Sequence, residues 1–428
     1  MKMKLYATAA TVALIAGGAS ADGHLDGVQI TVSGTWLSPE AEIVNEIFDL
    51  FEEQTGAEVS YVGSDSFEQQ VIIDAEAGSA ANISVFPQPG LAADLASRGF
   101  LTPLQEGSAE WIRDNYAAGQ SWVDLGTYAD ENGEDQLYGM FFRVDLKSLV
   151  WYSPENFEDA GYEIPGTMEE LKALTDQIVA DGETPWCIGL GSGAATGWPA
   201  TDWVEDMLLR TQPPEIYDAW VTNELPFNSP EIIGAIEEFG AFARNDDYVA
   251  GGAGAVATTD FRDSPKGMFS SPPQCYMHRQ ASFIPAFFPE GTVVGEDVDF
   301  FYFPAYEGKD LGSPVLGAGT LFAITNPGDG VQELIEFLRQ PAAHEIWMSY
   351  GGFLTPHTGV DPAKFVDDTS RGLNEILLGA TTFRFDGSDL MPGAIGAGSF
   401  WTGMVDYAGG AAAEDVATGV QNSWDAIK

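Results

Sequence analysis

The stretch ISVFPQPGLAADLAS (residues 83–97) marks a point where a strand ends and a helix begins. Residues 83–86 are mostly apolar and are followed directly by Pro87-Gln88-Pro89-Gly90, whose two prolines cannot continue a central strand. Helix-forming residues then follow from Leu91 to Ser97. The stretch therefore predicts a strand–helix unit that holds Gln88 in its turn.

Two similar units precede this stretch. Residues 28–33 and 57–62 alternate like strands, and each is followed by a predicted helix, over residues 42–53 and 67–77. This β-α-β-α-β order with short connections is typical of a parallel, doubly wound α/β sheet. Ligands bind at the carboxyl ends of the strands in such sheets. We expect three strand exits to line one crevice: Gly34-Thr35-Trp36, Gly63-Ser64-Asp65-Ser66 and Pro87-Gln88-Pro89-Gly90.

The chain has 428 residues, a length that favours two domains over one. Three extended segments, residues 137–152, 298–304 and 351–356, predict crossings between two lobes, which is the arrangement of a hinge. We place lobe 1 at residues 22–140 and 305–352, and lobe 2 at residues 141–304 and 353–428.

The first 21 residues have the pattern of a cleavable signal peptide. Lys2 and Lys4 precede an apolar segment, Leu5 to Ala16, and Ala19-Ser20-Ala21 forms a small-residue cleavage site. A buried N-terminal helix is the alternative. Since no cysteine follows the cleavage site, we expect a periplasmic protein without a lipid anchor.

The two cysteines, Cys187 and Cys275, fit an oxidising compartment. An even count there suggests one disulfide, with two buried free thiols as the alternative. With only four histidines and two cysteines, we expect no structural zinc site.

Charge is the extreme feature of the composition. Asp and Glu number 65 against 18 Lys and Arg, a formal net charge of −47. The acids are scattered along the chain, so nucleic acid and anionic membrane are excluded as partners. Scattered acid is typical of a solvated surface, and a cation-binding role is the alternative.

Four stretches resemble a known family. They are Phe86-Pro-Gln-Pro-Gly-Leu-Ala-Ala-Asp-Leu95 with Gly99-Phe-Leu-Thr-Pro-Leu104; Tyr138 to Pro154 with Phe157-Glu-Asp-Ala-Gly161 and Thr167-Met-Glu-Glu-Leu171; Cys275-Tyr-Met-His-Arg-Gln-Ala-Ser282; and Gly351-Gly-Phe-Leu-Thr-Pro356. Together they are similar to the extracellular solute-binding component of a carbohydrate ABC importer, the class that includes maltose-binding protein. Residues 86–90, 143–148, 197–203 and 388–392 most resemble its α-glucoside-binding branch.

The resemblance implies two doubly wound α/β lobes joined by crossover strands around a sugar-binding cleft. It also implies delivery of the sugar to membrane permease subunits, a monomer without a cofactor, and no catalysis. The acidity of this chain exceeds what the family leads us to expect.

Sugars are bound by aromatic rings that stack on C–H faces and by amide, carboxylate and guanidinium groups that contact hydroxyls. This chemistry, at the strand exits and in the irregular segments, selects the candidate ligand-binding residues: Trp36, Ser64, Asp65, Gln88, Arg143, Asp145, Trp198, Asp202, His278, Gly319, Thr320, Phe353, Arg384, Asp389 and Trp401.

Several candidates have a structural alternative. Trp36 and Phe353 could instead lie in the core. Ser64 and Asp65 could cap the helix that begins at Phe67.

Charged and loop candidates have structural explanations too. Arg143 and Asp145 could simply pair with each other, and Asp202 could cap a helix over residues 203–210. A lone histidine such as His278 is more often structural. Arg384, Asp389 and Trp401 lie in a Gly- and Pro-rich segment without a regular pattern, which could be a plain loop.

The residues alone leave two rival functions open. A secreted glycoside hydrolase needs two carboxylates across a cleft, which so acidic a chain supplies easily, although no barrel-like repeat is present. The second rival is a binding protein for a cationic solute such as a polyamine.

Overall fold

The computed structural model describes residues 23–379 and 383–427. The predicted signal peptide, residues 1–21, lies outside these residues. Within the described ranges, no helix combines the length and the apolar character needed to cross a membrane.

Among the described residues, three sheets are built from eleven strands. They are β1 (Gln29–Gly34), β2 (Glu58–Gly63), β3 (Ile83–Phe86), β4 (Thr127–Ala129), β5 (Asp135–Leu137), β6 (Gly139–Leu146), β7 (Leu149–Tyr152), β8 (Met277–Arg279), β9 (Asp299–Tyr302), β10 (Val315–Ile324) and β11 (Phe383–Phe385).

Helices separate and cover these strands. They are α1 (Glu40–Thr55), α2 (Phe67–Ala77), α3 (Pro89–Ser97), α4 (Ser108–Asn115), α5 (Gly119–Leu125), α6 (Pro154–Ala160), α7 (Met168–Ala180), α8 (Trp198–Thr211), α9 (Pro214–Val221), α10 (Pro230–Ala243), α11 (Val331–Leu338), α12 (Pro341–Met348), α13 (Asp368–Gly379), α14 (Gly387–Leu390), α15 (Trp401–Ala408) and α16 (Ala413–Ile427). A π-helical segment, Ala394–Phe400, leads into α15.

Local sequence signals explain several helix ends. At α7 the sequence Thr167-Met-Glu-Glu170 forms a capping box, since Thr167 Oγ1 accepts from the Glu170 N–H and the Glu170 carboxylate accepts from the Thr167 N–H. At α1 the helix ends at Gly56, whose φ of 80° is favourable for glycine.

The first sheet confirms the predicted α/β architecture. Strands β2, β1 and β3 pair in parallel, and Gly34 at the end of β1 lies level with Gly63 at the end of β2. The sheet continues as β10, which is antiparallel to both β3 and β6 and parallel to β11. The predicted strand exits therefore meet at one edge, as parallel pairing requires.

The second sheet differs from the doubly wound pattern expected for lobe 2. It has three strands, with β7 between β8 and β9, and both pairings are antiparallel. The regular alternation of strand and helix that predicted parallel pairing in lobe 1 is absent here, because the helices α6 to α10 all lie between β7 and β8.

The extended segment over residues 137–152 is not one continuous strand. Leu137 ends β5, and the two strands that follow, β6 and β7, are separated by Lys147 and Ser148. Each strand belongs to a different sheet, so the chain passes from one sheet to the other at this break. The break places Lys147 between the two sheets.

Two hydrophobic clusters form the interior. The first surrounds the mixed sheet and the second surrounds the three-stranded sheet with α8, α10 and α16. The predicted lobe boundaries stay a prediction. Cys187 and Cys275 form a disulfide across 88 residues, which confirms the pairing expected from the sequence.

Candidate functional site

A cavity lies where the exits of β1, β2 and β3 meet the start of α8 and the segment 386–401. It leaves about 860 Å³ free of protein atoms, including the space at its mouth. Its lining residues are Thr35, Trp36, Glu40, Asp65, Glu68, Pro87, Gln88, Arg143, Asp145, Lys147, Ser192, Ala195, Trp198, Asp202, Phe261, Arg262, Phe283, Ala318, Gly319, Thr320, Asp386, Ser388, Asp389 and Trp401.

Most of the predicted site residues come together in this cavity. Those that line it are Trp36, Asp65, Gln88, Arg143, Asp145, Trp198, Asp202, Gly319, Thr320, Asp389 and Trp401. They come from distant parts of the chain, and all three predicted strand exits contribute at least one of them. Their role in ligand binding stays a prediction.

Four predicted residues lie elsewhere, and each has another structural partner. The Ser64 hydroxyl accepts from the Ser66 N–H at 3.1 Å. His278 is buried, its Nδ1 lies 2.8 Å from the Cys187 carbonyl oxygen, and burial lowers its pKa to about 4. Phe353 is a core residue stacked 5.4 Å from Trp347.

Arg384 is the fourth of these residues. Its guanidinium forms a two-pronged ion pair with the partly exposed Asp218, at 2.7 and 3.0 Å. The segment around it is not a plain loop, since β11, α14, the π-helical segment and α15 follow one another there.

Trp36 is held at the cavity by its neighbours at the sheet edge. Its backbone N–H donates to Tyr61 Oη at 2.8 Å, and its ring packs edge-on against Trp347 at 4.8 Å. A Cβ atom on Gly63 would lie 1.9 Å from the Trp36 carbonyl oxygen, so only glycine allows this approach. Trp36 is therefore a core residue that also lines the cavity, and its role in ligand binding stays a prediction.

A cluster of rings forms the aromatic side of the cavity. Trp198 is half-buried and packs edge-on against Phe261 at 4.9 Å, and Phe283 lies 6.0 Å from Trp198. Lys147 Nζ lies 5.5 Å from the centroid of the Trp198 ring. Such rings offer apolar faces to a ligand and exclude water from the polar groups opposite.

Arg143 is the first of two buried cations in the cavity wall. Its NH1 group contacts Glu40 at 2.5 Å and its Nε contacts Asp145 at 3.3 Å. The predicted Arg143–Asp145 pair is therefore present. A shift of register in the β6–β10 pairing, between Thr320 and Leu321, is a bulge beside these residues, and bulges often re-aim side chains at functional sites.

Lys147 is the second buried cation. Its Nζ contacts Asp202 at 2.8 Å and Asp386 at 2.6 Å, and all three side chains are almost inaccessible to solvent. Burial alone would lower the pKa of Lys147, but the two carboxylates outweigh it and raise this pKa well above its ordinary value. Burial raises the pKa of Asp202 to about 7. Lys147 thus ties β6 to α8 and to the segment before α14.

Arg143, Lys147 and their partners Glu40, Asp145, Asp202 and Asp386 are called the ion-pair wall below.

Asp202 does not cap a helix, since α8 begins four residues earlier and has Pro199 in its first turn. One turn beyond Asp202, Asp206 accepts from Arg279 at 2.6 Å and from Arg210. These buried pairs fix the position of α8.

Three further polar residues of the cavity lie near one another. Gln88 Nε2 donates to Glu68 Oε1 at 3.2 Å, and Asp389 lies on α14, which packs against the start of α3. A Cβ atom on Gly90 would lie 1.9 Å from the Met391 carbonyl oxygen, so glycine allows this close packing. Glu68, Gln88 and Asp389 are called the acceptor corner below.

The acceptor corner is buried, and this changes its acid–base behaviour. Burial raises the pKa of Glu68 to about 7, although the Gln88 amide opposes the shift. Burial and then the neighbouring Asp386 carboxylate raise the pKa of Asp389 well above its ordinary value. Both carboxyl groups thus hold protons at higher pH than exposed carboxyl groups do.

Several buried polar atoms of the cavity-lining side chains have no hydrogen-bond partner among the described residues. They are Glu68 Oε2, Gln88 Oε1, Asp202 Oδ2, Thr320 Oγ1 and Trp401 Nε1. Each belongs to a side chain that is more than nine-tenths buried. An unsatisfied buried polar group costs about 1–3 kcal/mol, so a polar ligand that reaches these atoms gains affinity.

Some lining residues were missed by the sequence prediction. Lys147 had a usable signal, because positions 143, 145 and 147 share one face of an extended strand. Glu68 lies in the first turn of α2, just beyond a predicted strand exit. Phe261, Arg262 and Phe283 lie in irregular segments, where no periodic pattern marks them.

Comparison with known proteins identifies the family to which the chain belongs. Residues 36–345 match the bacterial extracellular solute-binding protein family, which is more than half of the chain. The chain belongs to this family. The resemblance noted in the sequence is thus confirmed.

The relatives extend over nearly the whole chain. The alpha-glucosides-binding periplasmic protein AglE of Rhizobium meliloti is 60% identical over 408 residues, covering 95% of this chain and 89% of the relative. The osmoprotective compounds-binding protein GgtB of Synechocystis is 40% identical over 408 residues, covering 95% of each chain. A solved chitin oligosaccharide binding protein superposes with a TM-score of 0.77 at 16% identity, covering 93% of this chain and 98% of that one, which supports the fold alone.

Proposed function

We propose that this solute-binding protein captures an α-glucoside in the cavity between the ion-pair wall and the acceptor corner and delivers it to the permease subunits of an ABC importer. The observation that carries this proposal is that cavity-lining side chains combine aromatic rings with buried polar atoms that have no hydrogen-bond partner among the described residues. Hydroxyl groups can donate to the carboxylate and amide oxygens and accept from Trp401 Nε1.

The relatives favour an α-linked sugar over other polar ligands. The name of the 60% identical relative specifies α-glucosides. The rings of Trp198 and Phe283 line the cavity, and aromatic rings of this kind stack on the C–H faces of sugars, which supports the proposal. Recognition of this kind requires no covalent step, so the proposal includes no catalysis.

A binding titration tests the proposal. Maltose, trehalose and sucrose are each added while tryptophan fluorescence is followed, with calorimetry for the affinity. We expect at least one of them to quench the fluorescence and bind. A response to spermidine and to no glycoside, or hydrolysis of p-nitrophenyl α-glucoside well above the buffer rate, would overturn the proposal.

A matched pair of variants localises the binding. Gln88→Leu removes an unpaired acceptor from the cavity, and we expect it to weaken sugar binding by about tenfold, the value of one hydrogen bond. Gln69→Leu makes the same change at an exposed position of α2 and should leave the affinity unchanged. Equal effects of the two variants would place the sugar elsewhere.

We also propose that the protein is a periplasmic monomer without a lipid anchor, released by cleavage after Ala21. The mass of the exported chain should then correspond to a protein that begins at Asp22, and light scattering should give the mass of one chain. A lipidated or uncleaved N-terminus would contradict the first part, and a stable dimer the second.

Ligand binding is proposed to close the two lobes about the segments near residues 139–145, 300–306 and 352–357. One of these is linked to another by the Val144 N–H, which donates to the Leu354 carbonyl oxygen at 2.9 Å. A ligand that contacts both lobes binds the closed form better and shifts the population towards it. Small-angle scattering should show a smaller radius of gyration with saturating sugar, and identical profiles would contradict closure.

A further inference from the structure

The acceptor corner differs from the rest of the cavity in the balance of its charge. Among the described residues, each of the carboxylates of Glu40, Asp145, Asp202 and Asp386 has Arg143 or Lys147 within ion-pair distance. No cation among the described residues lies within 4.0 Å of the carboxyl groups of Glu68 or Asp389. The cavity thus contains two buried carboxyl groups that have no cation within ion-pair distance in the part of the chain that the structure describes.

The unpaired atoms of this corner also favour one kind of ligand. The Gln88 amide group donates to Glu68 Oε1, which leaves Gln88 Oε1 and Glu68 Oε2 unpartnered among the described residues. Both belong to cavity-lining side chains that are more than nine-tenths buried. An ammonium group has three donors and no acceptor, so it suits a corner that offers acceptors close together.

The raised pKa values of the acceptor corner also favour a cationic ligand. Burying an ionised carboxylate without a partner is costly, and Glu68 and Asp389 both hold protons to higher pH as a result. The other charged groups that act on them are Asp65 on Glu68, and Asp386, Lys147 and Asp202 on Asp389. A ligand cation would remove the penalty and allow the corner to ionise.

We propose that the acceptor corner is a binding site for an ammonium group, and that the protein therefore binds amino-substituted α-glucosides more tightly than the corresponding neutral sugars. This inference rests on the proposed function, since it concerns a second recognition element in the same cavity. A hydroxyl at this position donates one hydrogen bond, whereas an ammonium donates up to three and forms charge-assisted bonds with the carboxylates.

The direct test compares matched ligands. The tightest-binding neutral sugar of the panel is compared by calorimetry at pH 7 with its mono-amino-deoxy analogues, in which one hydroxyl at a time is replaced by an amine. We expect at least one analogue to bind more than about tenfold tighter, in the range of measured buried charge pairs. The analogue should also release protons on binding, seen as a dependence of the heat on buffer ionisation enthalpy.

The outcomes separate this inference from the proposed function. If the neutral sugar binds and no amine analogue binds more tightly, the ammonium site is overturned while the α-glucoside function stands. If neither the sugars nor any analogue binds, both proposals are contradicted.

Charge-removing variants locate the effect. Glu68→Gln and Asp389→Asn each keep the side-chain shape, and we expect each to reduce the ratio of amine affinity to neutral-sugar affinity to about one. Glu76→Gln removes the same charge from an exposed position on α2 and should leave the ratio unchanged. A ratio that persists in both corner variants would overturn the assignment.

Discussion

Lys147 and Glu68 line the same cavity and are both almost inaccessible to solvent, but among the described residues only Lys147 has charged partners within ion-pair distance. In the ion-pair wall, each buried cation contacts two carboxylates from other segments of the chain or its own strand. In the acceptor corner, a carboxyl group has one amide neighbour and one unpartnered oxygen.

This difference separates two uses of buried charge. A buried ion pair adds little net stability, but removing one partner is strongly destabilising. The ion-pair wall therefore fixes the relative position of β6, α8 and the segment before α14. In our proposal, a ligand supplies the partners that the acceptor corner lacks, whereas the partners in the ion-pair wall come from the protein itself.

The largest effect is expected from breaking the ion-pair wall. Lys147→Met leaves the buried carboxylate of Asp386 without a cation within ion-pair distance and Asp202 with only Arg279, 4.0 Å away, so we expect the free energy of unfolding to fall by about 3–5 kcal/mol. Urea denaturation followed by far-UV circular dichroism measures this change.

The control for this prediction is Lys172→Met. Lys172 also contacts a carboxylate, Glu238 at 2.8 Å, but both side chains are about a third exposed. We expect a loss of less than about 1 kcal/mol there. Similar losses at the two lysines would show that the wall has no structural role.

The second prediction concerns the pH dependence that the acceptor corner creates. Because the pKa of Glu68 is raised to about 7 in the folded protein, folding favours its protonated form. Its contribution to stability is fully present below the ordinary pKa of 4.5 and is lost as the pH rises through 7. Between these two pH limits, the contribution of Glu68 to the free energy of unfolding falls by roughly 3 kcal/mol.

Glu68→Gln should remove this dependence. The stability of the wild type relative to the variant should fall between pH 5 and pH 8, measured by urea denaturation at both values. Glu76→Gln, on the exposed side of the same helix, should follow the wild type at both values. A constant difference between wild type and Glu68→Gln would contradict the raised pKa.

A third variant tests how the acceptor corner is assembled. A Cβ atom in Gly90→Ala would lie 1.9 Å from the Met391 carbonyl oxygen, so α14 and its Asp389 must shift. We expect a loss of about 1–3 kcal/mol in stability and a weaker affinity for the sugar. Urea denaturation and calorimetry measure the two effects.

Gly234→Ala provides the matched control. No atom lies within 4 Å of its added Cβ, and the position is inside α10, so stability should rise by about 0.5–1 kcal/mol. Unchanged sugar affinity in Gly90→Ala would show that the α3–α14 contact does not position Asp389.

The smallest effect is expected outside both regions. Arg384 is a predicted site residue, but it pairs with the partly exposed Asp218 and does not line the cavity. Arg384→Met should change stability by less than about 1 kcal/mol. The sugar affinity of this variant, measured by calorimetry, should match that of the wild type. A large loss of affinity would show that Arg384 takes part in sugar binding.

The sequence predicted the first sheet and its strand exits well. Local signals determine these elements, because alternation, proline and glycine positions define β1 to β3 and their helices. Gln88 is the clearest case: its place between two prolines is visible in the sequence and the structure puts it in the cavity.

The rest of the site depends on contacts between distant segments. Whether Arg384 or Asp386 faces the cavity depends on the packing of α14 against α3 and α9, which leaves no local pattern. The antiparallel second sheet was missed for the same reason, since a long stretch of helical and irregular chain separates β7 from β8. The sequence does not show which buried carboxylates have a cation nearby, so only the structure separates the ion-pair wall from the acceptor corner.

The central claim is that the unpaired polar atoms of the cavity are the contacts of a bound α-glucoside. A crystal structure of the complex with the tightest-binding sugar tests this claim most directly. We predict sugar hydroxyls within about 3.2 Å of Glu68 Oε2, Gln88 Oε1 and Asp202 Oδ2. A sugar bound elsewhere, or bound in the cavity with these three atoms still unpartnered, would contradict it.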